Sequence, residues 1–140
     1  MFSAKTEYAC LALLRLAVEY AGGLPLQGRR LAAEEGIPEG FLTQILQQLK
    51  RCGLVTSVRG AAGGYRLTSP PEEITVGELL EMLEGPADKP SRLATPTPLA
   101  CVLTDLCDEA QQAQRAMFES VTLAELADRA APEHAGMYYI

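Results

Sequence analysis

The chain has 140 residues, of which 48% are hydrophobic, 21% charged and 6% aromatic. That length fits one compact domain and leaves little room for two, and that composition excludes a disordered, collagenous or low-complexity chain. The formal net charge of −6 on its face argues against a polyanionic partner.

The charge is unevenly spread. Residues 1–70 carry eight Lys/Arg against five acids, a net of +3, whereas residues 71–140 carry four against thirteen, a net of −9. The halves have opposite sign, so the mean describes neither, and the first half is able to meet a polyanion. No stretch approaches the ~20 apolar residues of a membrane span, since the run at Cys10–Leu14 is interrupted by Arg15. No basic region followed by an apolar core and a cleavage site opens the chain, so the expectation is a cytoplasmic protein with no membrane partner. Four cysteines (Cys10, Cys52, Cys101 and Cys107) are too sparse for a disulfide framework and fit a reducing compartment.

In chain order, the nearly apolar stretch Thr6–Ala21 predicts a largely buried helix ended by Gly22-Gly23. Leu24-Pro25-Leu26 reads as a short extended lead. A second helix is expected over Gln27–Glu35, with Leu26, Leu31 and Ala32 turned inward and Gly36 as its stop. Ile37-Pro38 opens a third, with proline near the first helical position, running to about Cys52. Its apolar positions Phe41, Leu42, Ile45, Leu46 and Leu49 recur at helical spacing. Leu54–Val58 and Tyr65–Leu67, around the glycine-rich turn Arg59–Gly64, read as a β-hairpin. Thr75 with Glu78 fits a capping box that starts a helix through Leu83. Pro86–Pro98 reads as a loop. A longer helix is expected to begin between Val102 and Asp108 and to end near Ser120, and Thr122 with Glu125 forms a second capping box for a last helix to about Ala130.

The fold class is therefore mainly α with a small β-hairpin, in the order helix, turn, helix, hairpin of a winged helix-turn-helix. The third helix can pack one face while Thr43, Gln44 and Gln47 reach base edges in a major groove, with Lys50 and Arg51 nearer the phosphates. Arg59, at the wing tip beside glycines, suits a narrow minor groove, and Gly60 and Tyr65 of the same wing complete the candidate DNA-binding set. Such a polar helix face also serves as an ordinary solvated surface. The wing glycines are no dinucleotide fingerprint, because the spacing is wrong and no helix follows.

Ser57-Val-Arg-Gly60, then Gly63-Gly-Tyr65 and Leu67, after Gly53-Leu-Val55, resemble the wing signature of the Rrf2 family of bacterial transcription regulators. Glu7-Tyr8-Ala9, Leu42 with Gln44, Ile74–Glu78 and Val121-Thr122-Leu123 extend the resemblance over nearly the whole chain. It implies a homodimer joined through the long helix before Val121. The corresponding organisation is a DNA-binding domain over 1–83, a linker over 84–100, dimerisation helices over 101–130 and a tail over 131–140. The recognition helix departs from the family's iron–sulfur regulators at Gly40 and Thr43, so their operator sequence is not implied.

Many Rrf2 regulators hold an iron–sulfur cluster through three cysteines ahead of the dimer helix. This chain offers only Cys101 and Cys107 there, with Glu7 at the position of an acidic ligand that some members recruit from the partner subunit. No cofactor is expected; Cys101 and Cys107 read as small buried residues, with a thiol redox pair or cluster ligands as the alternatives. Cys10 and Cys52 read as packing residues. The tail, Met137-Tyr138-Tyr139-Ile140, resembles C-terminal peptides that plug the active site of cysteine synthase (O-acetylserine sulfhydrylase). The CymR-type repressors of cysteine metabolism within the family end similarly and lack the three-cysteine loop. The resemblance implies that the Ile140 carboxylate fills the enzyme's substrate carboxylate site, with Tyr138 and Tyr139 at its mouth and O-acetylserine in competition. The plainer alternative folds the tail back onto the dimer. An enzyme is not expected: the sole histidine, His134, lies in the tail, and no phosphate cradle or metal-ligand cluster appears. An interaction module without DNA binding is the remaining class.

Overall fold

The structure, a computed structural model, describes residues 2–85 and 95–131. Its elements are α1 (Ala4–Tyr20), α2 (Gly28–Glu35), α3 (Glu39–Arg51), β1 (Val55–Val58), β2 (Gly64–Leu67), a 3-10 turn at Pro71–Glu73, α4 (Val76–Glu84), α5 (Pro98–Glu119) and α6 (Leu123–Arg129). They form two compact units: the residues up to Ile74 with those from Thr122 onward, and those from Thr75 to Val121.

In the first unit, the Ser3 hydroxyl accepts from the Thr6 N–H at 3.2 Å and caps α1. Ala9, Ala12, Leu13, Leu16 and Ala17 then face inward, one stripe of a helix repeating every three to four residues. Gly36 ends α2 at φ +63, a conformation that costs glycine nothing. α3 buries Leu42, Ile45, Leu46 and Leu49. Phe41, expected inside, is 44% exposed; it lies at the edge of the stripe, its ring 5.9 Å from that of Tyr8. Pro38 is the N-cap of α3, so the helix starts at Glu39. Leu13, Leu31, Ile45, Leu49, Leu67 and Leu123 are fully buried, each stabilising the fold by about 1.5–3 kcal/mol.

The hairpin pairs Val55 with Leu67 through Val58 with Gly64, antiparallel. The Leu24–Leu26 lead is drawn into it: Leu26 N–H donates to the Tyr65 carbonyl at 2.9 Å and Tyr65 N–H to the Leu26 carbonyl at 2.8 Å. A Cβ at Gly64 would collide with the Leu26 carbonyl, so this approach of chain to chain needs glycine. α6 returns to this unit, packs on α1 and joins Ile74 through the Leu123 N–H at 2.8 Å. Thr122 and Glu125 form the expected capping box.

In the second unit, Thr75 and Glu78 cap α4 reciprocally at 3.1 and 3.3 Å. α4 packs on α5, and Val76 N–H donates to the Val121 carbonyl at 2.8 Å. α5 begins at Pro98, earlier than expected, because Thr97 caps it through the Ala100 N–H at 3.1 Å. A proline at the first helical position lacks only an N–H that would be orphaned anyway, so Pro98 opens the helix rather than closing the loop. None of the 22 residues of α5 is buried. Among the described residues no helix is long and apolar enough to cross a membrane.

Candidate nucleic-acid interface

The amphipathic packing of α3 decides which side chains are left outside. With Leu42, Ile45, Leu46 and Leu49 inward, Thr43, Gln44, Gln47, Lys50 and Arg51 are all exposed on the opposite side. Thr43 Oγ1 donates to the Glu39 carbonyl at 3.1 Å, which leaves its lone pairs for an outside donor. Arg51 Nε lies 3.5 Å from the Gln47 carbonyl. Lys50 Nζ donates to Ser57 Oγ at 2.9 Å and so spans from helix to wing. Thirteen residues of helix, about 20 Å long, suit a major groove about 12 Å wide.

Arg59 and Gly60 are exposed in the turn between β1 and β2. That turn closes on a Gly63 N–H bond to the Gly60 carbonyl at 3.0 Å, and a Cβ at Gly63 would collide with the Val58 carbonyl. Tyr65 is half-buried. Its ring lies on the α2 side of the wing, 3.8 Å from where a Cβ on Gly28 would stand, so it braces the wing rather than projecting from it. Arg29, Glu39, Thr43 and Tyr65 border a shallow hollow among α2, α3 and β2. Arg29 is an exposed cation beside this hollow outside the candidate set, because the sequence pattern of α2 points only to its inward residues.

The charge of the first seventy residues divides further. Arg15 on α1 meets Glu34 of α2 in a close ion pair, with Glu19 at 3.7 Å and Glu35 at 3.8 Å. Arg30 reaches Glu34 at 2.7 Å and Glu19 at 3.5 Å. The Arg30 hydrogen bond, aided by Arg15, holds the Glu34 carboxyl below its ordinary value, against partial desolvation; Glu34 in turn raises Arg30. Two of the eight cations and three of the five acids thus engage one another between α1 and α2, a cluster of net −1. The rest of residues 1–70 carries six cations against Glu7 and Glu39, a net of +4, so the basic character concentrates on the remaining residues.

Cys101 and Cys107 are both exposed, which corrects the expectation of small buried residues. Both lie inside α5. Six residues along a helix separate them by about 9 Å and turn them about 120° apart, beyond the ~7 Å reach of a disulfide. They therefore neither pair within one chain nor converge on one metal. Among the described residues no three His, Cys, Asp or Glu come together as a metal site. Glu7 is exposed on α1. Cys10 and Cys52 are half-buried, as packing residues are. Met137, Tyr138, Tyr139 and Ile140 lie outside the described residues.

Comparison with known proteins agrees with this architecture. The Rrf2 family model, described as an iron-dependent transcriptional regulator, matches residues 2–129. The HTH-type transcriptional regulator CymR of Bacillus subtilis is 33% identical over 139 residues, covering 99% of this chain and 98% of its own. The solved structure of that protein, titled as the global cysteine regulator of B. subtilis, superposes with a TM-score of 0.81 at 32% identity, over 91% of this chain and 96% of its own. The HTH-type transcriptional repressor NsrR of Streptomyces coelicolor is 35% identical over 124 residues, 86% of this chain and 84% of its own. The structure of T. potens IscR superposes with a TM-score of 0.78 at 27% identity, over 99% and 96%.

Proposed function

This chain belongs to the Rrf2 family of transcriptional regulators, and on that premise we propose that it is a homodimeric repressor that binds double-stranded DNA in the cytoplasm and controls cysteine or sulfur metabolism. The observation that carries the DNA reading is the exposed row Thr43, Gln44, Gln47, Lys50 and Arg51 on α3, joined to the wing by the Lys50–Ser57 hydrogen bond. Residues 1–83 would bind DNA, with Thr43, Gln44 and Gln47 at base edges, Lys50 and Arg51 at phosphates, and Arg59 with Gly60 at the minor groove. Tyr65 would hold the wing in place. A mobility-shift assay with the chain's own promoter region at low salt tests this, and absence of any retarded band contradicts it.

The dimer reading is supported by α5. Leu99, Val102 and Leu106 are 83%, 67% and 62% exposed, far more apolar surface than one helix leaves in water without reason. Leu99, Leu103, Leu106, Ala110, Ala113 and Met117 alternate spacings of four and three, the heptad seam of a two-helix contact. The linker expected over 84–100 would end where α5 begins at Pro98, and within the expected 101–130 segment α5 would carry the dimer contact while α6 stays on α1. The likeness to CymR supports control of cysteine metabolism. The terminal Met137-Tyr138-Tyr139-Ile140 supports a complex with cysteine synthase, the chain's free carboxylate entering a site built for an amino-acid carboxylate. A second reading, a thiol-responsive regulator, is favoured by the exposed Cys101 and Cys107; equal DNA binding by the wild-type protein under peroxide-treated and reduced conditions, or a peroxide response that persists in the Cys101→Ser/Cys107→Ser protein, would remove it.

A further inference from the structure

An N-cap position favours Ser, Thr, Asp or Asn, whose side-chain oxygen accepts from the N–H two or three residues on. The N-cap of α2 is Gln27, and its side chain makes no capping bond. Its Nε2 donates instead to the main-chain carbonyl of Ala61 at 3.2 Å, in the wing turn two residues past Arg59. The backbone at and before this glutamine is fixed. Leu26 exchanges two hydrogen bonds with Tyr65, and the Gln27 carbonyl accepts from Leu31 N–H at 3.0 Å. The turn it reaches closes on the Gly63–Gly60 hydrogen bond, and its residues Arg59, Gly60, Ala61 and Ala62 are all exposed.

We propose that Gln27 is a positioning residue that tethers the wing turn to the start of α2, so that Arg59 is presented at a fixed distance from α3. The inference rests on the DNA-binding reading above for its purpose, though not for its geometry. A duplex offers its grooves at set separations, and a turn already held at the right one loses less conformational freedom on binding. Gln27 does this without touching DNA, and it gives up the capping role that its position ordinarily serves.

Amide hydrogen exchange on the DNA-free, full-length protein reads the tether directly. Gln27→Met keeps the length and removes the donor; exchange at Gly63, whose buried N–H closes the turn on the Gly60 carbonyl at 3.0 Å, should quicken at least about threefold, and promoter affinity should fall about three- to tenfold, the scale of one hydrogen bond. That fall should vanish in an Arg59→Ala background, because the tether acts through Arg59. Gln27→Ser restores a capping oxygen, so its Tm should be unchanged or higher while its DNA affinity falls as in Gln27→Met. A purely helical role predicts the opposite, full affinity in Gln27→Ser. Unchanged exchange in Gln27→Met overturns the tether, and an affinity loss that persists without Arg59 shows Gln27 contacting DNA itself and overturns it too. A wild-type protein that binds no DNA, with exchange still quickened in Gln27→Met, overturns the functional reading and leaves the tether standing.

Discussion

Lys50 Nζ donates a hydrogen bond to Ser57 Oγ over 2.9 Å, so the last turn of α3 and the first strand of the wing hold one ammonium between them. Both residues are exposed, so the bond contributes little to folding and its value is in aim. Lys50→Met should leave stability within about 0.5 kcal/mol while weakening DNA binding alike on promoter and unrelated duplexes, as loss of a phosphate contact does. Fluorescence anisotropy on both duplexes checks this; a loss confined to one sequence would assign Lys50 to a base instead.

The ion-pair cluster of Arg15, Arg30, Glu19, Glu34 and Glu35 links α1 to α2. Glu34 is held below its ordinary value of 4.5. Its ionised form therefore stabilises the fold above that value, and the contribution fades as pH falls through the lower folded value. Glu34→Gln should be less stable than wild type at neutral pH, and the gap should close on acidification and narrow in high salt. Urea denaturation across the acid range measures it, and a gap independent of pH would contradict the assignment.

The exposed seam of α5 predicts that association depends on it. Leu103 and Leu106 are 54% and 62% exposed within one chain, so Leu103→Glu/Leu106→Glu should fold while losing the dimer. Sedimentation velocity should show a monomer, and far-UV circular dichroism wild-type helix content. A persisting dimer would place the contact elsewhere.

Deletion of Tyr139 and Ile140 should abolish binding to cysteine synthase and leave dimerisation and DNA binding intact. Calorimetric titration of the enzyme with each form checks this, with O-acetylserine expected to compete. Equal affinity of both forms would end the tail reading.

Local rules made much of this molecule legible in its sequence. The capping boxes at Thr75 and Thr122, the Gly36 stop and the hairpin around Arg59–Gly64 each follow from a few neighbouring residues, and the structure has them all. What escaped depends on context. Pro98 carries both a loop signal and a helix-start signal, and only the Thr97 cap decides between them. The pairing of Leu26 with Tyr65 and the reach of Gln27 to Ala61 join residues more than thirty apart, which no window on the sequence contains. The outward row of α3 was legible because burial of one helix face fixes the other. The engagement of Arg15 and Arg30 was not, because charges counted along a chain do not reveal which of them meet. That engagement sharpens the charge argument, since the cations left outside the cluster include those of α3 and the wing.

The proposed interface requires α3 and the wing of the basic first seventy residues to bind DNA together, which salt-dependent anisotropy titration of a promoter duplex with wild-type and Arg59→Ala protein tests most directly. Wild type should bind with an affinity that falls steeply with salt. Arg59→Ala should bind more weakly, with the slope of log affinity against log salt reduced by about one. No binding by wild type at low salt, or an Arg59→Ala titration that overlays wild type throughout, would rule this interface out.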